Sequence, residues 1–366
     1  MNININRVAL HSTRINAKYI LDHEQELWTK VRWSEGKPVC KCGHDDLYKL
    51  SDGRFKCKHC RRVFSDTTDT IAQHSNLAKW QWLYMIFTLS VQRSISVRET
   101  AKQIGVSITT AHRMLRKVRY YMSKDQINMT NVVIMDEAHI GAWAKMRMKR
   151  KFEYMRANNF MDPDTKTYTK NQIYAASSDK KEHIVCMVNE QNQCIIKHIR
   201  GQVSRKIIRR LIKDYQIKHI ISDESKLYLG IPNTTVEQCN HSKRIWLTQN
   251  GNTTNACENR FSWVKRIYNT YHTHTSADNL QLYLNQIAFK INHTGQSAES
   301  VFHKLGSLCC TEYISHNGIT EYLRANELTN PREEVDPQIL ELLDSGFVSA
   351  VYDKHKTYTR NNRFKS

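Results

Sequence analysis

Three acidic residues stand where a chain would put groups that work on phosphate. Asp136 follows the apolar run from Asn131 to Met135, and Asp223 follows Lys218 to Ser222. Glu258 lies further on, inside a helical stretch. Strand ends of an α/β sheet are where active sites open. Metal-assisted phosphoryl transfer needs hard oxygen ligands for two Mg2+ or Mn2+ ions about 4 Å apart, and carboxylates converging from two strands and a helix supply them. Lys265 follows Glu258 by two helical turns on the same face, where it could neutralise a phosphate. Asn255, one turn before Glu258, also faces that side. Glu137 should point away from Asp136 because strand neighbours alternate faces, and Glu224 is disfavoured for the same reason. Each acid alone is an ordinary surface group. Their joint placement in a chain of excess positive charge is what speaks for chemistry, because acids buried together repel and a cation resolves the repulsion.

Other chemistries find less support. The chain has no glycine-rich Walker loop for ATP and no recognisable serine or cysteine nucleophile motif. His139 and His241 read as core or surface groups rather than metal ligands.

A second set of ligands lies near the beginning of the chain. Cys57 and Cys60 are separated by two residues, which lets two thiolates close on one tetrahedral ion. Cys40 and Cys42 offer the other half, and Asp52-Gly53 between the halves reads as a hairpin turn. Residues 37–66 are therefore expected to form a zinc ribbon. The first pair is tighter than the usual spacing, so His44 competes with Cys40 as fourth ligand. Four protein ligands leave no open position, so this zinc is structural.

Residues 76–124 read as helical. Ser96 caps one short helix with Glu99 three residues on, Gly105 ends it, and Ser107 caps the next. Such a helix-turn-helix lays its second helix in the major groove of DNA. Thr109, Thr110, His112 and Arg113 would face bases, and Arg116, Lys117 and Arg119 would reach phosphates.

The elements that must position the acids come after residue 131. Strands are expected at 131–135, 172–177, 183–189, 194–199 and 218–222, with helices at 203–215, 256–268 and 277–292. That order implies a mixed α/β domain over 131–305, with helices packed on a central sheet. Residues 1–36 read as a polar arm with a short helix near Glu24 to Val31, and 306–366 as a basic extension with a short helix from Pro337 to Leu343. The formal charge is +20 in 366 residues, which points to nucleic acid as partner. The cluster Lys145, Arg147, Lys149, Arg150 and Lys151 would guide a phosphate backbone. No apolar run is long enough to span a bilayer, and the start of the chain lacks a signal-peptide core. A reducing cytoplasm, no membrane and mostly free thiols are the expectation.

Four stretches in this order resemble the bacterial insertion-sequence DDE transposases of the ISXO type, which carry an N-terminal zinc ribbon. They are RWSEGKPVCKCGHDDLYKL with FKCKHCRRVFSDTTDTI, VVIMDEAHIGAW, HIISDESKLY and NTTNACENRFSWVKRIYNTYH, within about residues 30 to 295. The resemblance implies a ribonuclease H-like catalytic domain that cuts double-stranded DNA at element ends and joins the 3′-hydroxyl to target DNA, as a homodimer or larger assembly. By that resemblance Asp136, Asp223 and Glu258 are the three acids and Lys265 the lysine that follows them. Some relatives use Asn in third place, which keeps Asn255 in view. The compressed Cys40-Lys41-Cys42 and the glycine-poor DEAHIGAW depart from the family pattern.

Overall fold

A computed structural model describes residues 13–92, 95–140, 182–240, 247–248, 250–271 and 275–329. The chain divides into Met1–Leu328 and Thr329–Ser366, and everything below concerns the first unit except where Thr329 is named.

Helices α1 (Thr13–Asp22) and α2 (Glu24–Arg32) come first. The fully buried Trp28 of α2 donates its indole N–H to the Asp66 carbonyl at 3.1 Å. A three-stranded antiparallel sheet follows, of β1 (Leu47–Lys49), β2 (Phe55–Cys57) and β3 (Val63–Phe64). Its turn closes through Gly53 N–H to the Leu50 carbonyl at 3.0 Å. Gly53 sits at φ +81, a conformation a side chain would strain. Trp33, Phe55 and Phe64 make its own small core with Cys40 and Cys57.

Next come α3 (Lys79–Val91), α4 (Val97–Ile104) and α5 (Ile108–Met122). Ser96 and Ser107 cap α4 and α5 through the N–H groups of Glu99 and Thr110, and Gly105 takes the left-handed φ of +68 that ends α4. Thr100, Ala101 and Ile104 face inward from α4, as do Ala111, Leu115 and Val118 from α5.

The large sheet has six strands in the order β8-β7-β4-β5-β6-β9. These are β4 (Val132–Ile140), β5 (Glu182–Asn189), β6 (Cys194–Arg200), β7 (His219–Ser222), β8 (Thr235–Gln238) and β9 (Leu328–Thr329). Strand β4 pairs antiparallel with β5 but parallel with β7, and β7 pairs parallel with β8. Helix α6 (Arg205–Tyr215) makes the crossover to β7 and buries Ile207, Ile208, Leu211 and Ile212 on one sheet face, against Val133, Met135, Val185 and Met187. Helices α7 (Asn255–Tyr271) and α8 (Ala277–Asn292) cover the other face, against Ile134, Ile140, Ile184, Cys186 and Ile196. The alternation of the strands sorts these two sets.

Two expectations change. Strand β4 does not stop before Asp136: it runs on to Ile140, because the antiparallel pairing with β5 continues from Val133↔Asn189 to Ile140↔Glu182. Nor do the described residues just after 306 lie outside the core: Cys309, Cys310 and Ile319 are buried in the cluster of the N-terminal helices. Helices α9 (Ala298–Leu308) and α10 (His316–Ala325) bury Val301, Phe302, Leu305 and Ile319 among the N-terminal helices. Helix α8 belongs to both halves: Leu280 and Leu284 pack toward the sheet, while Leu282 and Phe289 join the core of α3 and α5. The expected strand at 172–177, the basic cluster from Lys145 to Lys151, His241 and the helix from Pro337 to Leu343 lie outside the described residues. Among the described residues no helix is long and apolar enough to cross a membrane.

Candidate functional site

The sheet register brings two of the acids side by side. β4 and β7 pair as Val132↔His219, Val133↔Ile220 and Ile134↔Ile221. Carried two residues on, that register sets Asp136 level with Asp223, the residue after the last of β7. Asp136 shares its sheet face with Ile134 and Ala138, the face that α7 covers. The first turn of α7 is pinned there by Cys257, fully buried, whose Sγ donates to the Ile134 carbonyl at 3.3 Å. The next residue is Glu258, in that same turn. The third acid thus arrives over β4 at the level of the first.

The electrostatics report the same convergence. Burial pushes the Asp136 carboxyl up to about 7. The Glu137 N–H, donating to Oδ1 at 2.8 Å, pulls it back, and the negative charges of Glu137, Asp223 and Glu258 push it up again. A carboxyl raised first by burial and then by the charges of neighbouring acids marks a site short of positive charge. Hard oxygen donors in that state fit a divalent cation. They are not yet closed as a ligand shell: among the described residues, the groups whose ligand atoms all lie within 4.8 Å of one another are built of cysteine and histidine.

Glu137 points to the opposite face, as alternation requires. Its carboxylate accepts from the Tyr228 hydroxyl at 2.5 Å, and burial, first of all, raises its pKa. Asp223 is held in a tight loop: its Oδ1 accepts from the Ser225 N–H at 3.0 Å. Gln238 donates to the carbonyls of Asp223 and Ser225 at 2.8 and 2.9 Å. Tyr228 and Gln238 carried no signal in the sequence, since a tyrosine and a glutamine among apolar residues are ordinary core and strand-edge groups. Lys265 and Asn255 are exposed on α7, with Lys265 about 10 Å along the helix axis from Glu258. Glu224 is exposed.

The four cysteines are already at metal-ligand spacing. Cys40 and Cys60 stand 3.5 Å apart, sulfur to sulfur, and Cys42 and Cys57 3.7 Å. Tetrahedral zinc thiolates at about 2.3 Å put sulfurs about 3.8 Å apart. All four sulfurs lie within 4.8 Å of one another, so Cys40 meets the other three despite the compressed spacing. The Arg62 N–H, with the neighbouring thiols, holds the Cys60 thiol down to about 7, toward the thiolate that zinc needs. His44 Nδ1 is 3.4 Å from Cys42 Sγ, and its ring stacks on His59 at 3.9 Å. His59 thus joins His44 beside the cluster, a neighbour that its place between Cys57 and Cys60 conceals.

On α5 the expected DNA-facing residues divide. Thr109, His112 and Arg113 are exposed, and Thr110 completes the cap with Ser107. Arg116, Lys117 and Arg119, expected at phosphates, are committed to the fold instead. Arg116 donates to the His316 carbonyl and to Thr320 Oγ1, both at 2.9 Å. Lys117 lies 8% exposed over the rings of Trp82 and Tyr313. Arg119 donates to Gln286 at 2.7 Å and stacks 3.8 Å from the Tyr283 ring. The reason is that helices α10 and α8 cover Arg116 and Arg119, and Trp82 with Tyr313 covers Lys117, on the side of α5 that the sequence pattern alone leaves open.

A mixed sheet with acids level on adjacent parallel strands, in a chain that also carries a four-cysteine cluster, defines an α/β protein with two candidate metal centres. Residues 128–292 match the family model of the ISXO2-like transposase domain. Similarity also extends to an uncharacterised protein in the transposable element ISH50 of Halobacterium salinarum, 26% identical over 125 residues. That alignment covers 33% of this chain and 42% of the relative, so the chain spans less than half of that protein's length. The resemblance to ISXO-type insertion-sequence transposases read from the sequence is the one these comparisons return.

Proposed function

We propose that this protein is an insertion-sequence DDE transposase whose Asp136, Asp223 and Glu258 hold divalent cations, Mg2+ or Mn2+, for cutting and joining DNA. The observation that supports the reading is that the charges of Asp223 and Glu258 both act on the buried Asp136 carboxyl, within the stretch that matches the transposase domain. The strand order, antiparallel on one side of β4 and parallel on the other, supports a ribonuclease H-like catalytic domain over 131–305. Cys40, Cys42, Cys57 and Cys60 hold structural zinc in the ribbon of 37–66, and α4 with α5 act as a helix-turn-helix.

Cations bound at the acids supply Lewis acidity to a nucleophilic oxygen and to a departing 3′ oxygen. The remaining work falls to the chain. Asp136, fixed in the middle of a paired strand, keeps its place while Asp223 and Glu258 approach from a loop and a helix end. The N-terminus of α7 favours negative charge beside them, and Lys265 faces phosphate further along the same helix. Thr109, His112 and Arg113 meet base edges of the element end. Joining two ends to one target calls for at least two copies of the chain.

The test is a duplex carrying the element end, incubated with protein and Mg2+. Nicked and joined products are expected from the native chain. Asp136→Asn and Glu258→Gln should bind the duplex and yield neither. Cutting without joining makes the protein a nuclease, and binding without cutting makes it a DNA-binding regulator; either replaces the proposal.

A further inference from the structure

The loop that carries Asp223 is tied at both ends, and one tie is chemically unexpected. Gln238 on β8 holds the carbonyls of Asp223 and Ser225 from one side. From the other, Tyr228 reaches β4 and donates to Glu137. Tyr228 is fully buried, and Glu137 lies in the same packed face beneath α6. A phenol and a carboxylate there cost more than two apolar side chains of the same shape would. A satisfied buried polar pair of this kind rigidifies the elements it joins.

What the pair fixes follows from the strand. Glu137 is the neighbour of Asp136 in a rigid, doubly paired strand, and Tyr228 ends the short 3-10 turn that begins two residues beyond Glu224. A bond between Tyr228 and Glu137 therefore sets the distance between the Asp223 loop and Asp136. It does so from the opposite face of the sheet, where neither side chain can meet the ion.

We propose that Glu137 and Tyr228 form a latch that holds Asp223 at ion-sharing distance from Asp136, making both of them positioning residues for the cation site. The latch rests on the acid-centre reading above. Partners behind metal ligands of this kind change ion affinity by about 10–100-fold when lost.

The experiment measures Mn2+ binding to the full, zinc-loaded chain by calorimetry, without DNA. Tyr228→Phe should weaken Mn2+ binding about 10-fold or more. Glu137→Gln keeps an acceptor for Tyr228 and should bind close to the native affinity. The double variant Glu137→Leu/Tyr228→Phe removes both partners of the buried pair and also the carboxylate that Ser225 bonds, so it should bind Mn2+ as weakly as Tyr228→Phe alone, with its melting measured alongside. Native affinity in Tyr228→Phe overturns the latch. So does native affinity in the double variant, which would make the pair a matter of stability alone. Asp136→Asn is the separate control: if it binds Mn2+ as the native chain does, the acid centre falls and the latch with it.

Discussion

The cysteine cluster and the acid centre are both groups of repelling ligands, but they are built at different ranges. The four sulfurs come from one short segment, turn toward one point through a hairpin, and already stand at zinc-thiolate spacing. The three acids come from two strands and a helix far apart in the chain, and their oxygens remain open. A ligand set closed by local turns suits an ion that stays bound. One assembled by sheet register is held by the whole core, and under the proposed function its open oxygens are where ions and phosphate would enter.

The largest effect separates the two by removing metal. The small ribbon core of Trp33, Phe55 and Phe64 cannot hold four thiolates without an ion, and structural zinc in such modules contributes on the order of 10 kcal/mol. A strong chelator, or Cys57→Ser, should unfold residues 37–66. Zinc content and protease cleavage within that segment are the readouts. The same chelation should leave the sheet folded, since packed side chains from its strands and helices hold its two cores together. Next in size, Asp136→Ala or Glu258→Ala should lower DNA cleavage by more than about 100-fold, a larger loss than removing a partner behind a ligand. Duplex binding in a gel-shift assay should persist. Equal sensitivity of both regions to chelation would erase the contrast.

How far each region was legible follows from the same difference in range. Cys57-x-x-Cys60, the Asp52-Gly53 turn and the caps at Ser96 and Ser107 are local, and they stand as read. Asp223 at its strand end and Glu258 in its helix could be read too, because apolar runs of period two and 3.6 mark their elements. The length of β4 beyond Asp136 could not, since the apolar run ends at Met135 and only the pairing with β5 carries the strand on to Ile140. Burial of Lys117 and Arg119 was hidden for the same reason: it depends on Gln286, Tyr283 and Tyr313, far along the chain. Long-range partners decide what a charged residue does, and one sequence carries little trace of them.

A smaller effect tests the openness of the acid centre through pH. Asp136 has a folded pKa of about 7, above the ordinary aspartate value, so folding favours its neutral form. The contribution of Asp136 to ion-free stability should therefore be fully present below pH 4, decline as pH rises toward 7, and be lost above it, which the difference between the native chain and Asp136→Asn isolates from the other carboxylates. Asp136→Asn removes the charge and should raise the stability of the ion-free protein at pH 8 by up to about 4 kcal/mol, with little change at pH 4. Thermal melting across that range is the measurement. Adding Mn2+ to the native chain should shrink the difference, because a cation supplies the charge the acids lack.

The smallest effect lies on α5, where basic residues six positions apart have different duties. Arg113 is exposed, while Arg119 is buried between Gln286 and the Tyr283 ring. Arg113→Ala should leave melting unchanged within about 0.5 kcal/mol, as surface substitutions do. It should weaken duplex binding, and if Arg113 meets a phosphate rather than a base, the loss will be uniform across sequences with a salt slope lower by about 1. Arg119→Ala should do the reverse, because it strands buried Gln286 and empties the space beside Tyr283. A fall in DNA binding from Arg119→Ala at unchanged stability would mean that α5 opens to expose it, and the division of that helix into a reading face and a packing face would be wrong.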